Sequence, residues 1–148
     1  MGDLYFEDFT VGQTFATASY TISEDEALAF GRRYVPMPYH TDSERARDYP
    51  YGGLIVPGHL SAAIAFGLFA KTGVLDASGI GAPGANIRWL MPVRPGDTLR
   101  VVAVVAEVSP APKPGGRDAI RLRLDTYNQN NELVLTHETL QFVRRRPA

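Results

Sequence analysis

The chain has 148 residues and a formal net charge of −1, with 45% hydrophobic and 21% charged residues. This is the composition of one ordinary globular domain, predicted to span residues 1–148, and the balanced charge argues against a nucleic-acid partner or an acidic membrane surface. The absence of cysteine excludes disulfides, thiolate metal sites and a cysteine nucleophile. No secretory pattern opens the chain and no apolar run is long enough to span a bilayer, so we expect a cytoplasmic protein.

Two helix starts are predicted in the first third of the chain. Ser23 and Glu26 form a capping box, and the apolar residues that follow recur at helical spacing. Pro36 ends this helix, because the residue before a proline is pushed out of the α region. Thr41 and Glu44 form a second capping box and predict a short, mostly exposed helix that begins at Thr41.

The rest of the chain combines one apolar helix with several strands. The segment from His59 to Gly73 is apolar nearly all round, which predicts a helix buried on most sides. Alternating and β-branched segments follow, separated by Pro/Gly turns, and predict an antiparallel meander. Their residue ranges are 85–93, 97–108, 118–128 and 133–145. The fold class is therefore α+β, and a single-layer sheet that needs cover predicts a homodimer.

Three histidines are the first candidates for chemistry. His40 lies in a loop stiffened by Pro36 and Pro38, where a rigid scaffold can present a catalytic group, although a plain capping neighbour fits equally. His59 stands at the start of the apolar helix, either as a first-turn residue bonded to backbone or as part of a site. His137 lies mid-strand in an alternating segment, which favours a packing or surface role.

The start of the apolar helix is also a candidate anion site. Free amide N–H groups cluster there, and Gly58 would let a ligand approach closely. Amide donors aimed at a carbonyl oxygen form an oxyanion hole, which suits proton transfer beside a carbonyl with His40 near. The set His40, Asp42 and His59 has no recognised metal-ligand spacing, so no metal is predicted. Without a phosphate-binding loop, no cofactor is predicted either.

The chain resembles the MaoC-like, (R)-specific enoyl-CoA hydratase family of hotdog-fold proteins over nearly its whole length. The similarity lies in "YFEDFTVGQTF", "PYHTDSERARDYPYGGLIVPGHLSAA", "IRWLMPVRPGDTL" and "LVLTHETLQFVRR". The resemblance implies a curved antiparallel sheet around the helix that starts near Gly58. It also implies a homodimer with sites at the interface and a small-molecule substrate such as an acyl-CoA thioester.

The hydration motif of that family falls on this sequence with substitutions. Its histidine falls on His40 and its proline on Pro38, but the catalytic aspartate falls on Val35 and the amide residue on Met37. Family hydratases use the aspartate and histidine together to activate water and to protonate the α-carbon. Valine has no titratable group, and Pro57 replaces the usual Ser or His beside the oxyanion glycine. A general base contributes about 10²–10⁴ in rate, so ordinary hydration requires a substitute.

Several residues are candidates for the missing role. Those that could stand in for the aspartate are Tyr34, Tyr39, Asp42, Tyr51 and His59. The predicted catalytic set is His40, Gly58, His59 and Tyr39. The predicted substrate-binding set is Val35, Met37, Gly53, Pro57, Arg88, Trp89 and Arg94. The last three match the CoA-proximal strand and turn of the family, and the alternative is an exposed arginine that frames a turn with Trp89 in the core.

Three functions remain open from the sequence. The first is a hydratase/dehydratase-type lyase acting on an acyl thioester or related carbonyl compound, with chemistry altered by the missing aspartate. The second is a non-catalytic hotdog subunit that binds acyl-CoA or pairs with an active relative. The third is a repurposed isomerase or cyclase of a biosynthetic pathway. A hotdog thioesterase ranks below these, because the apolar helix offers no carboxylate.

Overall fold

The computed structural model describes residues 2–148. Its helices are α1 Glu24–Tyr34, α2 Pro38–Thr41 and α3 Gly58–Ala70, with 3₁₀ turns at Phe6–Asp8 and Arg45–Asp48. Its strands are β1 Thr14–Ala16, β2 Tyr20–Thr21, β3 Ala85–Trp89, β4 Thr98–Ser109, β5 Ala119–Tyr127 and β6 Leu133–Phe142. None of the helices in residues 2–148 has the length and apolar character that a bilayer-spanning segment needs.

The strands form one antiparallel sheet in the order β1-β4-β5-β6-β3, with β2 also paired to β4. The three long strands β4, β5 and β6 are neighbours in chain order, as a meander requires. The meander predicted from residue 85 is wrong at its first strand, because β3 ends at Trp89 and pairs with β6 at the far side of the sheet rather than with β4. The three helices, which lie between β2 and β3, and the antiparallel strands β4 to β6 confirm the α+β class.

Helix α3 packs against β4 and β5, so that one face of the sheet is covered. Its buried side chains include Leu60, Leu68 and Phe69, which join the inward residues of β4, β5 and β6 in one apolar cluster. Each fully buried side chain of this size contributes about 1.5–3 kcal/mol. The apolar helix predicted from the sequence is present as α3, and its exposed side includes Ala63 and Ala70.

The first capping box is only half formed. Ser23 Oγ accepts from the Glu26 amide at 3.0 Å, as predicted, and α1 ends at Tyr34 just before Pro36. The Glu26 carboxylate instead accepts a hydrogen bond from the Tyr20 hydroxyl at 2.6 Å. The side chain thereby ties α1 to strand β2 rather than to its own N-terminus.

The second predicted capping box is wrong. Thr41 ends α2 rather than starting a helix, and its hydroxyl donates to the Met37 carbonyl at 3.0 Å. Asp42 instead folds the chain after α2 into a turn, because its Oδ1 accepts from the amides of Glu44 and Arg45, both at 3.0 Å. The element that follows is the 3₁₀ turn Arg45–Asp48, whose N-cap is Glu44, rather than an α-helix.

Candidate active site

His40 lies on the short helix α2 and is only 7% exposed. Its Nδ1 lies 2.9 Å from the Ile55 carbonyl oxygen. A carbonyl oxygen can only accept, so Nδ1 must carry a hydrogen, and in the neutral ring the lone pair lies on Nε2. Within residues 2–148 the imidazole makes its hydrogen bond through Nδ1, and none is formed by Nε2. The neutral histidine is thus held with its lone pair on Nε2, where it can accept a proton.

Two features hold His40 in this place. Gly31 in α1 lets α2 approach closely, since a Cβ there would lie 2.9 Å from the His40 carbonyl oxygen and 3.2 Å from its Cβ. Ile55 uses both of its backbone groups, because its amide donates to the Tyr39 carbonyl at 3.0 Å while its carbonyl binds His40. The Tyr39 ring meets the imidazole edge-on at 4.6 Å between centroids.

The N-terminus of α3 presents free amide groups. The amides of Leu60 and Ser61 both donate to the Pro57 carbonyl, whereas those of Gly58 and His59 have no acceptor within residues 2–148. Pro57 supplies no side-chain cap. Unpaired amides and the helix dipole favour a negatively charged or polarised oxygen at this point. The role of these two amides as oxyanion donors stays a prediction.

The space beside Gly58 is filled by an indole, not left open for a ligand as predicted. Trp89 Nε1 donates to the Gly58 carbonyl at 3.0 Å, and a Cβ on Gly58 would lie 2.6 Å from Trp89 Cε2. Trp89 is 47% exposed, so the alternative that placed it in the core is wrong. His59 is exposed and its ring lies 5.8 Å from Trp89, so its ring contact is with the indole rather than with His40.

A cavity of about 290 Å³ lies between the loop before α3 and the segment after β3. It is lined by Tyr51, Ile55, Val56, Ser61, Trp89, Leu90, Met91, Pro92 and Val93. Among the candidate residues named from the sequence, Trp89 and Tyr51 line this cavity directly. Ile55 lies between the cavity and His40: it is one of the residues that line the cavity, and its carbonyl oxygen is hydrogen-bonded to the imidazole.

Sequence reasoning missed two residues of this site. Ile55 acts through its backbone carbonyl, for which the sequence carries no signal. Ser61 is buried in the first turn of α3, lines the cavity and donates its hydroxyl to the Gly58 carbonyl at 2.9 Å. A serine four residues after a proline N-cap is a detectable pattern, since hydroxyls in a first turn commonly bond to nearby backbone.

Arg94 is committed to backbone carbonyls. Its Nη1 donates to Gly53 O at 3.3 Å and to Leu54 O at 3.1 Å, while Nη2 donates to Tyr51 O. These contacts match the alternative in which the arginine frames a turn. Arg88 is exposed on β3, so it has the freedom that a phosphate contact requires.

Two of the substituted motif positions, Val35 and Met37, lie between α1 and α2, and the third, Pro57, is the N-cap of α3. Val35 is half-buried at the end of α1, and its carbonyl accepts from the Met37 amide at 2.7 Å. The Met37 side chain is 45% exposed, and Pro57 is buried. None of these three residues lines the 290 Å³ cavity, so a part in substrate binding stays a prediction for each.

Two further observations concern titratable groups. In residues 2–148 no three histidine or acidic side chains come together in a way that would hold a metal ion. His137 is buried on β6 against Phe66, with its Nδ1 unpaired, and burial lowers the pKa of this histidine. The packing role predicted for His137 agrees with this position.

Comparison with known proteins gives the family. The family model described as a MaoC like domain matches residues 8–114. The chain belongs to the MaoC-like dehydratase family. Its sequence is 31% identical to that of a MaoC-like dehydratase from Rhodospirillum rubrum. The crystal structure of that protein matches this fold with a TM-score of 0.91, over 98% of this chain and 99% of that one.

Two other relatives extend the comparison. The MaoC-like chain is 29% identical over 140 residues to the uncharacterized protein YdeM of Bacillus subtilis, covering 94% of this chain and 98% of that protein. The R-hydratase PhaJ1 from Pseudomonas aeruginosa, in its unliganded form, shares the fold with a TM-score of 0.78 at 23% identity, over 97% and 88% of the two chains. The predicted hotdog fold is confirmed.

Proposed function

We propose that this MaoC-like protein is a hydratase/dehydratase-type lyase that acts on an acyl thioester or a related carbonyl compound. The observation that carries the proposal is the state of His40, which is buried, fixed at Nδ1 by a main-chain carbonyl and unpaired at Nε2. The free amides of Gly58 and His59 support it, because they can stabilise the oxyanion of an enolate. Membership of the family supports the same reaction class.

One histidine can perform the elimination without a second titratable group. In the proposed dehydration of a 3-hydroxyacyl thioester, the lone pair on His40 Nε2 takes the α-proton, and the charge moves onto the thioester oxygen. The enolate then re-forms the carbonyl, the α,β double bond forms and the β C–O bond breaks. The departing hydroxyl takes the proton back from Nε2 and leaves as water, so that His40 returns to its neutral form.

The substitutions in the motif distinguish this mechanism from that of a site in which an aspartate and a histidine act together. Val35 cannot accept a proton and Met37 cannot orient a water molecule firmly, so His40 must act alone as base and acid in both the dehydration and the hydration direction. Tyr39 is the candidate partner with a direct contact to the imidazole. His59, which contacts Trp89, can act only from its exposed position at the start of α3.

Hydration of crotonyl-CoA, followed by loss of the enoyl-thioester absorbance, tests the proposal. His40→Asn is the sharp variant, because its amide can still donate to Ile55 while it lacks Nε2. We expect turnover to fall by about 10²–10⁴ with the melting temperature nearly unchanged. Val35→Asp should raise turnover by restoring the family base. Full turnover in His40→Asn would refute the role of His40.

Two alternatives are separated by isotope exchange. A repurposed isomerase or cyclase would still abstract an α-proton, so a saturated acyl-CoA in D₂O would gain deuterium without any hydration of crotonyl-CoA. A non-catalytic subunit would bind acyl-CoA without exchange, and activity would return only with an active relative. The non-titratable Val35 is the observation that favours these alternatives.

We also propose a homodimer with acyl-CoA as the small-molecule partner. Strand β3 lies at the end of the sheet order, and within residues 2–148 its outer edge has no neighbouring strand. Trp89, Leu90 and Met91 are exposed at the end of this strand and line the cavity. A second copy would cover them, and the nearby Arg88 could then meet a CoA phosphate. Light scattering coupled to gel filtration tests the dimer.

A further inference from the structure

We infer that Arg94 is a positioning residue for His40, acting through the backbone of the loop 51–55. The inference adds to the proposed function a residue that fixes the proton of the acid/base group. The expected effect of Arg94 on turnover rests on the proposed function, whereas its expected effect on the tautomer of His40 does not. Hydrogen bonds and the short backbone segment 54–56 connect the turn before β4 to the histidine.

The series begins where Arg94 is anchored. The Arg94 amide donates to Asp97 Oδ2 at 2.8 Å, and the Asp97 amide donates back to the Arg94 carbonyl at 3.0 Å. Gln129 Nε2 donates to the other carboxylate oxygen of Asp97 at 2.9 Å. Asp97 is buried, so the turn between β3 and β4 gives the arginine a rigid base.

The guanidinium then organises a loop that has no regular structure of its own. Its Nη1 group donates to the carbonyls of Gly53 and Leu54, and its Nη2 group donates to the carbonyl of Tyr51. Gly52 between them has a φ of +69°, a conformation that a side chain would disfavour. A planar fork can hold several acceptors in one geometry, which a single ammonium cannot do.

The last link is Ile55. Leu54 on one side of it is held by Arg94, and Val56 on the other side donates its amide to the Val93 carbonyl at 2.7 Å. With both neighbours held by consecutive residues 93 and 94, the Ile55 carbonyl points at His40 Nδ1. A carbonyl fixed in this way selects the Nδ1–H tautomer and leaves Nε2 as the base. If the carbonyl moved away, both tautomers would be populated.

This role differs from binding a substrate phosphate. Three of the five N–H groups of the guanidinium already donate to backbone, leaving Nε–H and one hydrogen on Nη2. A phosphate-binding arginine would affect KM for a CoA substrate and leave the imidazole unchanged. A positioning arginine would affect kcat and the tautomer of His40 together.

The test compares Arg94→Met and Arg94→Lys with Arg100→Met as the control. Arg100 donates one hydrogen bond to Asn131 and stacks on Tyr127, so its loss removes a comparable side chain at another part of the sheet. The tautomer is measured by ¹⁵N NMR of the imidazole nitrogens, and the His40 signals are assigned by their absence in His40→Asn. We expect Nδ1–H in the wild type and Arg100→Met, and a mixture of tautomers in both Arg94 variants.

Turnover provides the second measurement. For the substrate used, kcat should fall about 100-fold in Arg94→Met with KM nearly constant, since a displacement of about 1 Å can cost that much. Added guanidinium should restore part of the loss. If Arg94→Met does not fold, the His40 tautomer measured in Arg94→Lys provides the test. Unchanged His40 signals in the folded variants, or a rise in KM alone, would overturn the inference, and the NMR result stands even if no substrate is turned over.

Discussion

Replacing Gly31 by alanine tests how closely α1 and α2 must approach to hold His40. The added Cβ would lie 2.9 Å from the His40 carbonyl oxygen, about 0.5 Å inside an ordinary contact. Because the obstructing atom is backbone, α2 has to move. Such overpacking costs about 1–3 kcal/mol, against about 1 kcal/mol gained from helix propensity. We expect a net loss of about 1 kcal/mol, or a melting temperature about 2–4 °C lower.

A second glycine provides a matched control. Gly67 lies inside α3, and a Cβ there meets no atom within 4 Å, so Gly67→Ala should stabilise the chain by about 1 kcal/mol. The melting temperatures of both variants are measured by calorimetry, and turnover is measured alongside. Movement of α2 stretches the 2.9 Å bond from His40 to Ile55, so Gly31→Ala should also lose activity. Equal stabilisation by both substitutions would show that the reasoning is wrong.

Two further predictions concern His137 and Gly58. His137→Leu removes a buried, unpaired Nδ1 and should stabilise the chain by about 1–2 kcal/mol in urea unfolding at pH 7.5. Burial lowers the pKa of His137, so the unfolded chain binds the proton more readily and the wild type loses stability as the pH falls below about 6.5. The gap between the two proteins should widen at acid pH, and a constant gap would exclude this cause. Gly58→Ala should displace Trp89 and lower turnover, with little change in melting temperature because the added helix propensity offsets one lost hydrogen bond. An unchanged Trp fluorescence spectrum would contradict this displacement.

The larger elements were predictable because their signals are local or periodic. Strand β5 alternates buried leucines with arginines, and α1 starts at a serine that caps its first turn. The failures arose where two neighbouring residues compete for one role. Thr41 and Asp42 can both cap a turn, and the sequence does not show that the threonine hydroxyl turns back to Met37.

The site was harder to predict than the fold because its contacts join distant segments. His40 was identifiable from its motif, but the acceptor on Nδ1 is a backbone carbonyl 15 residues away. Gly58 was correctly expected at the start of α3, whereas the indole beside it comes from a strand 31 residues further along. Such pairs depend on the packing of α3 on the sheet, which periodicity alone does not determine.

The acceptor that fixes His40 belongs to the main chain, and this affects how the protein can evolve. A point mutation replaces a side chain but leaves the peptide carbonyl, so position 55 can change identity and still hold the imidazole. Positions such as Val35 and Met37 can meanwhile vary around a histidine that keeps its proton on Nδ1. Under the proposed function, a single mutation at such a position could change the reaction while the backbone of residue 55 still holds His40 in the tautomer that its acid/base role requires.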